Sequence, residues 1–255
     1  MKNEPTNLKN ELINHVVKST VSVLTIDSQT RIPTGGGMGC LINYKERNFF
    51  ISVQHVTDEE GEETCIELGK TDSNGNNVYC VGGLNYIDEF EVSDLYGEEP
   101  ELKEIGPLDI SYVEIMDTFE LEQNKLVFNS EIVTKDKKRI LFDDLKTLPN
   151  FDEGYSFYGK INGKLVGQTL ERQDKIVLGL KYDKKIGYFE RFLLHDVMTN
   201  PSDYEGTSGA PVFSEEGFIV GFVAHGIENT NHLYTFSAFE LSKYLDIYID
   251  LNPIQ

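Results

Sequence analysis

Positive charge is scarce in this sequence: 23 lysines and arginines stand against 43 aspartates and glutamates, a formal charge of −20. A surface so acidic repels nucleic-acid phosphates and anionic lipid headgroups, which excludes generic DNA, RNA or membrane-surface binding and leaves basic partners open. Most of this charge is read as solvating, including the run "DEEGEE" at 58–63, which lacks the alternating ligand spacing of a calcium loop. No apolar run approaches the roughly 20 residues of a membrane span. The N-terminal stretch "MKNEPTNLKNELINHVVKS" lacks the apolar core and small-residue cleavage site of a secretory signal. Cysteine is rare too. Cys40, Cys65 and Cys80 cannot all pair within one chain and show no metal-ligand spacing. They are expected to be buried thiols in a reducing, cytoplasmic setting, with no metal and no cofactor. Internal repeats and low-complexity segments are also missing.

What the sequence does contain is a chain of 255 residues with 39% hydrophobic content, enough for one large domain or two small barrels. Leu8, Leu12, Ile13, Val16 and Val17 recur at helical spacing, so residues 1–18 are assigned to an N-terminal helix. From 19 to 116 the rhythm changes to short β-rich runs such as "STVSVLTI", "NFFISVQHV" and "DISYVEI", separated by Gly, Asn, Asp and Glu clusters. Residues 117–152 are charged and irregular, and are read as a crossover. A second set of strands, including "KIVLGLKY" and "GFIVGFVAHG", fills 153–236, and "SAFELSKYLDIYIDL" supplies a terminal helix over 237–255, expected to pack on the second half. The predicted architecture is two all-β halves with a helix at each end.

One stretch asks for a chemical explanation. In "YEGTSGAPVF" (204–213) small residues and a proline surround Ser208, as if backbone and another molecule had to approach its hydroxyl closely. A serine hydroxyl is a weak nucleophile until a base takes its proton, and that base needs a third group to fix its tautomer. Of five histidines, His55 stands where the strand "RNFFISVQHV" gives way to an acidic loop, a rigid element delivering a base to a crevice edge. Asp109, in "GPLDISYVEI", enters an apolar strand from a Gly-Pro turn, and a carboxylate in that setting needs a partner. His15 is read as a helix-face residue, His195 as packed between strands, and His232 as a turn residue. Cys40 has no histidine indicated beside it.

His55, Asp109 and Ser208 follow one another in the order of the chymotrypsin-like (trypsin-fold) serine proteases. "ISVQHV" resembles that family's Thr-Ala-x-His segment, "LDISYVEI" its Asp-Ile-Ala-Leu strand, and "GTSGAPVF" its Gly-Asp-Ser-Gly-Gly-Pro loop. The glycine-rich "GGGMGCLINYKERNFFISVQHV" resembles the strand pair leading into the family histidine. The similarity spans about residues 19–236, and the resemblance is to intracellular trypsin-like peptidases of bacterial type. It implies a double barrel of two antiparallel six-stranded β-barrels, with His55 and Asp109 on the first and Ser208 on the second. It also implies an oxyanion hole from the amides of Gly206 and Ser208.

By the same resemblance, Ser202, Asp203, Tyr204 and Glu205 would form the base and wall of the specificity pocket, and Ala224, His225 and Gly226 its opposite side. Asp203 and Glu205 argue for a basic side chain there, and His225 for an acidic or amide one; the acidic surface favours basic. Thr207 stands where zymogen-activated members have aspartate, so activation by a buried new N-terminus is not supported. A protease loose in its own cell would be dangerous, so gating by an activating protein partner is expected. The expected substrate is a protein or peptide. The competing expectation is a catalytically idle peptide-binding module on the same fold.

Overall fold

The computed structural model describes residues 4–71, 75–87, 108–115, 120–123, 126–128, 131–133, 136–137 and 140–253. Helix α1 (Glu4–Ser19) leads into strands β1 (Thr20–Asp27), β2 (Pro33–Tyr44) and β3 (Arg47–Ser52), followed by one helical turn, α2 (Gln54–Thr57). Strands β4 (Glu62–Glu67), β5 (Val78–Cys80), β6 (Asn85–Tyr86) and β7 (Ser111–Glu114) complete the first half. Between the halves lie β8 (Glu122–Gln123), β9 (Leu126–Phe128), β10 (Glu131–Val133), β11 (Asp136–Lys137) and β12 (Leu141–Phe142). The second half contains β13 (Tyr155–Val166), β14 (Thr169–Ile186), β15 (Phe189–Leu193), a 3₁₀ turn (Pro201–Asp203), β16 (Pro211–Phe213), β17 (Ile219–Gly226) and β18 (His232–Ser237), before helix α3 (Ala238–Leu251).

The two halves close differently. The second is a closed six-stranded barrel in the order β13-β14-β15-β18-β17-β16. The first is a barrel-like sheet in the order β5-β4-β1-β2-β3-β7-β6, with β12 joining β2 in parallel. Strand β1 is buried along Thr20–Ile26, as a strand covered on both faces must be. The β2–β3 hairpin turns through Lys45 and Glu46, both at positive φ (48° and 67°), which is the twist a two-residue hairpin needs although neither residue is glycine. Phe49, Phe50, Phe157, Phe189, Phe192, Phe213, Phe222 and Phe236 are fully buried and carry much of the core.

A polar cluster joins the halves. Glu67 of β4 accepts hydrogen bonds from Lys160 Nζ (2.9 Å) and Arg172 Nη2 (3.0 Å), and from Ser22 Oγ. Arg172 Nη1 also donates to the carbonyls of Val23 (3.1 Å) and Gly37 (3.2 Å). Burial pushes the Glu67 carboxyl up, but Lys160 and Arg172 outweigh it and bring it down to about 2.

The cysteine expectation is corrected for two of three residues. Cys65 and Cys80 are direct cross-strand partners on β4 and β5 and form a disulfide. Strand register, which spacing does not reveal, puts the two thiols side by side. The inference of a reducing compartment rested on free thiols and loses that support. Cys40 is a free, buried thiol, and burial raises its pKa far above that of an exposed one. No helix among the described residues is long and apolar enough to cross a membrane.

The end helices reach further than expected. On α1, His15 Nε2 lies 2.9 Å from the carbonyl of Gly217, and its ring stands edge-on to Phe213, so the N-terminal helix braces the second barrel. Helix α3 packs Ala238, Leu241 and Leu245 inward, while Tyr248 stacks edge-on against Phe49 and Tyr112 of the first half. Tyr44 Oη donates to Asp246 (2.7 Å) and Arg47 Nη1 to the carbonyl of Asn252 (2.7 Å), so α3 clamps both halves, beyond the second-half packing expected.

Candidate active site

His55 is delivered by the short turn α2, which is anchored on both sides of it. Val53 and Val56 are buried, and Thr57 Oγ1 donates to Ser111 Oγ (2.9 Å) while its carbonyl accepts from Tyr86 Oη (2.9 Å). With its neighbours held inward, His55 projects outward, its side chain 49% exposed. Asp109 lies between fully buried Leu108 and Ile110 and is itself buried; the Gly-Pro turn before it lies outside the described residues. Its Oδ2 lies 2.6 Å from His55 Nδ1, and its Oδ1 accepts the backbone N–H of His55 at 2.9 Å. A carboxylate can only accept, so Nδ1 is the donor of this bond, and in the neutral imidazole Nε2 keeps its lone pair.

Ser208 comes from the second half and is clasped by both. Its carbonyl accepts the Met38 N–H of β2 (2.7 Å), and the Gly209 N–H donates to the Val223 carbonyl of β17 (2.7 Å). This contact is too close for side chains. A Cβ on Gly37 would lie 2.8 Å from the Ser208 carbonyl oxygen, and one on Gly209 would lie 2.1 Å from that of Met38. The glycine-rich segment before the histidine is therefore the seam against which the serine turn seats. Among the described residues, neither the Gly206 nor the Ser208 amide donates a hydrogen bond. Such donors at a serine are suited to an incoming oxygen.

His55 and Ser208 line one cleft with Tyr204, Glu205, Thr207, Ala224, His225 and Gly226. Met198, Pro201, Val223 and Leu233 also line it, and sequence reasoning missed these four. Met198 enters from the 194–200 loop, tied by hydrogen bonds from its N–H to the Thr230 carbonyl (2.7 Å) and from the Asn229 N–H to its own carbonyl (2.8 Å). Its thioether lies over Gly226, where a Cβ would come within 2.3 Å of Cε. No local pattern marks Met198; only the absence of a side chain on Gly226 hints that something fills that space.

Ser202 and Asp203 do not line the cleft. They belong to the 3₁₀ turn Pro201–Asp203, in which Asp203 is exposed and its carbonyl accepts from Lys175 Nζ (2.6 Å). The Lys175 ammonium also sits 3.7 Å from the centre of the Tyr204 ring. Glu205 is exposed. A basic substrate side chain would need a buried carboxylate as its partner; Asp203 lies outside the cleft, and Glu205, which lines it, is exposed. His195 is also exposed rather than packed between strands, its Nε2 lying 3.1 Å from the Leu178 carbonyl, and His232 begins β18 instead of occupying a turn.

No protein-family model matches the chain, and no curated protein sequence does. Among solved structures it is similar to neuropsin, described as a serine protease expressed in the limbic system of mouse brain, with a TM-score of 0.56 and 10% identity. That match covers 93% of this chain and 96% of neuropsin. At that identity the likeness speaks for the fold, and with the sheet order it leads to one conclusion: the chain has the trypsin-like, two-barrel fold of the chymotrypsin-like serine proteases.

Proposed function

We propose that the protein is a serine endopeptidase. The observation that carries this reading is the two-point hold of Asp109 on His55, in a cleft shared with Ser208 and two unused backbone N–H groups. In this reading His55 Nε2 takes the proton of Ser208 Oγ as that oxygen attacks the substrate carbonyl. Asp109 stabilises the imidazolium so formed. The amides of Gly206 and Ser208 hold the oxyanion, and His55 returns the proton to the leaving amine. Water then enters by the same route in reverse and releases the acyl group.

The cleft walls favour an apolar side chain before the scissile bond. Val223, Ala224, Leu233 and Met198 are all buried, and an ammonium placed among them would lose its hydration without gaining a buried carboxylate. Pairing of β17 with β16 ends at Phe222, which leaves Ala224–Gly226 as an edge for an extended substrate backbone.

Labelling of the purified protein with a fluorescent fluorophosphonate, beside Ser208→Ala and His55→Ala, tests the reading. Strong wild-type labelling that both variants lose is expected. A wild-type protein that labels no faster than Ser208→Ala would sink the proposal and favour the peptide-binding module.

A further inference from the structure

We infer that Thr207 is the residue that positions the oxyanion turn. The inference rests on the reading of Ser208 as nucleophile. Glycine passes easily between positive and negative φ, and Gly206 (φ 91°) is therefore a soft joint two residues before the serine. The residue that follows must supply the stiffness.

Thr207 does so on three sides. Its N–H (3.0 Å) and its Oγ1 (2.8 Å) both donate to the carbonyl of Tyr204, occupying both lone pairs of one acceptor. Two bonds from one residue to one oxygen fix its backbone and its side-chain rotamer together. Its own carbonyl accepts the N–H of Ala210 (3.0 Å), closing the loop around Ser208. Its methyl group fills the space above Gly159 of β13, where a Cβ would lie 2.8 Å from Cγ2. Next door, a Cβ on Gly206 would lie 2.5 Å from the Lys160 carbonyl oxygen, so the same stretch of β13 backs both residues. Thr207 is itself 1% exposed.

Two substitutions separate the hydroxyl from the shape. Thr207→Val keeps the shape and removes the hydroxyl; Thr207→Ser keeps the hydroxyl and removes the methyl. Fluorophosphonate labelling of the full chain, followed over time at several probe concentrations, gives a maximal rate and a half-saturating concentration. Thr207→Val is expected to lower the maximal rate about tenfold or more, because the Gly206 and Ser208 amides lose their fixed position, with half-saturation within about twofold. Thr207→Ser is expected to recover it to within about threefold. Hydrogen exchange at residues 204–210 should speed up in Thr207→Val and leave the rest of the second barrel unchanged. Wild-type labelling rates in Thr207→Val, or equal losses in both variants, overturn the inference. Should wild type fail to label, the failure belongs to the protease reading, and exchange decides alone: unchanged protection at 204–210, or loss throughout the barrel, overturns the role of Thr207.

Discussion

Asp109 grips His55 at two points, taking its backbone N–H on Oδ1 at 2.9 Å and facing its ring Nδ1 with Oδ2 at 2.6 Å. One carboxylate thereby sets the position of the turn α2 and the orientation of the imidazole it carries. The two contacts have separable consequences.

Asp109→Asn retains an oxygen for the backbone bond but offers the ring either an amide N–H or an acceptor of lower charge. The fold is expected to survive, with a melting temperature close to wild type. Labelling at Ser208 should fall on the order of 10³–10⁴-fold, the cost of the wrong imidazole tautomer in a triad. A loss below about tenfold would make Asp109 a structural residue only.

The cleft makes a prediction opposite to the acidic surface. In a fluorogenic peptide library varied at the residue before the scissile bond, leucine, methionine or valine should be cleaved about tenfold or more faster than lysine or arginine. Met198→Ala should shift the preference towards larger side chains by opening the space over Gly226. Faster cleavage after lysine would mean that Glu205, exposed at the cleft wall, pairs with the substrate ammonium, as its position in the sequence suggests.

Glu67 links the joint between the halves to pH. Its carboxyl is held at about 2 against an ordinary 4.5, so its stabilisation is fully present above pH 4.5 and is lost as pH falls from there through about 2. Glu67→Gln should cost on the order of 2–3 kcal/mol at pH 7. In urea unfolding at pH 7, 4.5 and 3, the gap between wild type and variant should narrow in the most acidic samples. A gap independent of pH would show that Lys160 and Arg172 do not act through the charge of Glu67.

The Cys65–Cys80 bond spans a sequence separation of 15 and ties β5 to β4, its only strand partner among the described residues. Breaking it with reductant, or by Cys65→Ser with Cys80→Ser, should cost about 3 kcal/mol through the freed unfolded chain. The melting temperature should drop by several degrees, while β4 stays paired with β1. A melting point indifferent to reductant would show that the two thiols stay unbonded in solution.

The parts of this protein legible in sequence are those that local chemistry demands. Short β-rich runs, a helix at each end, and His55, Asp109 and Ser208 in order at strand ends all leave a mark within a few residues. So does the need for glycine at 206 and 209, because both sit at positive φ (91° and 84°), which other side chains rarely adopt. What local pattern could not carry were the pairings between distant residues. Strand register brought Cys65 to Cys80, and a 3₁₀ turn sent Asp203 outward to leave its carbonyl on Lys175. Packing brought Met198 over Gly226, Tyr248 to Phe49, and Lys160 and Arg172 to Glu67 across the joint. Such contacts depend on how two sheets coil and meet, which is a property of the whole chain. The sequence alone therefore determined which chemistry this protein could hold, and the tertiary structure decided which side chains surround it.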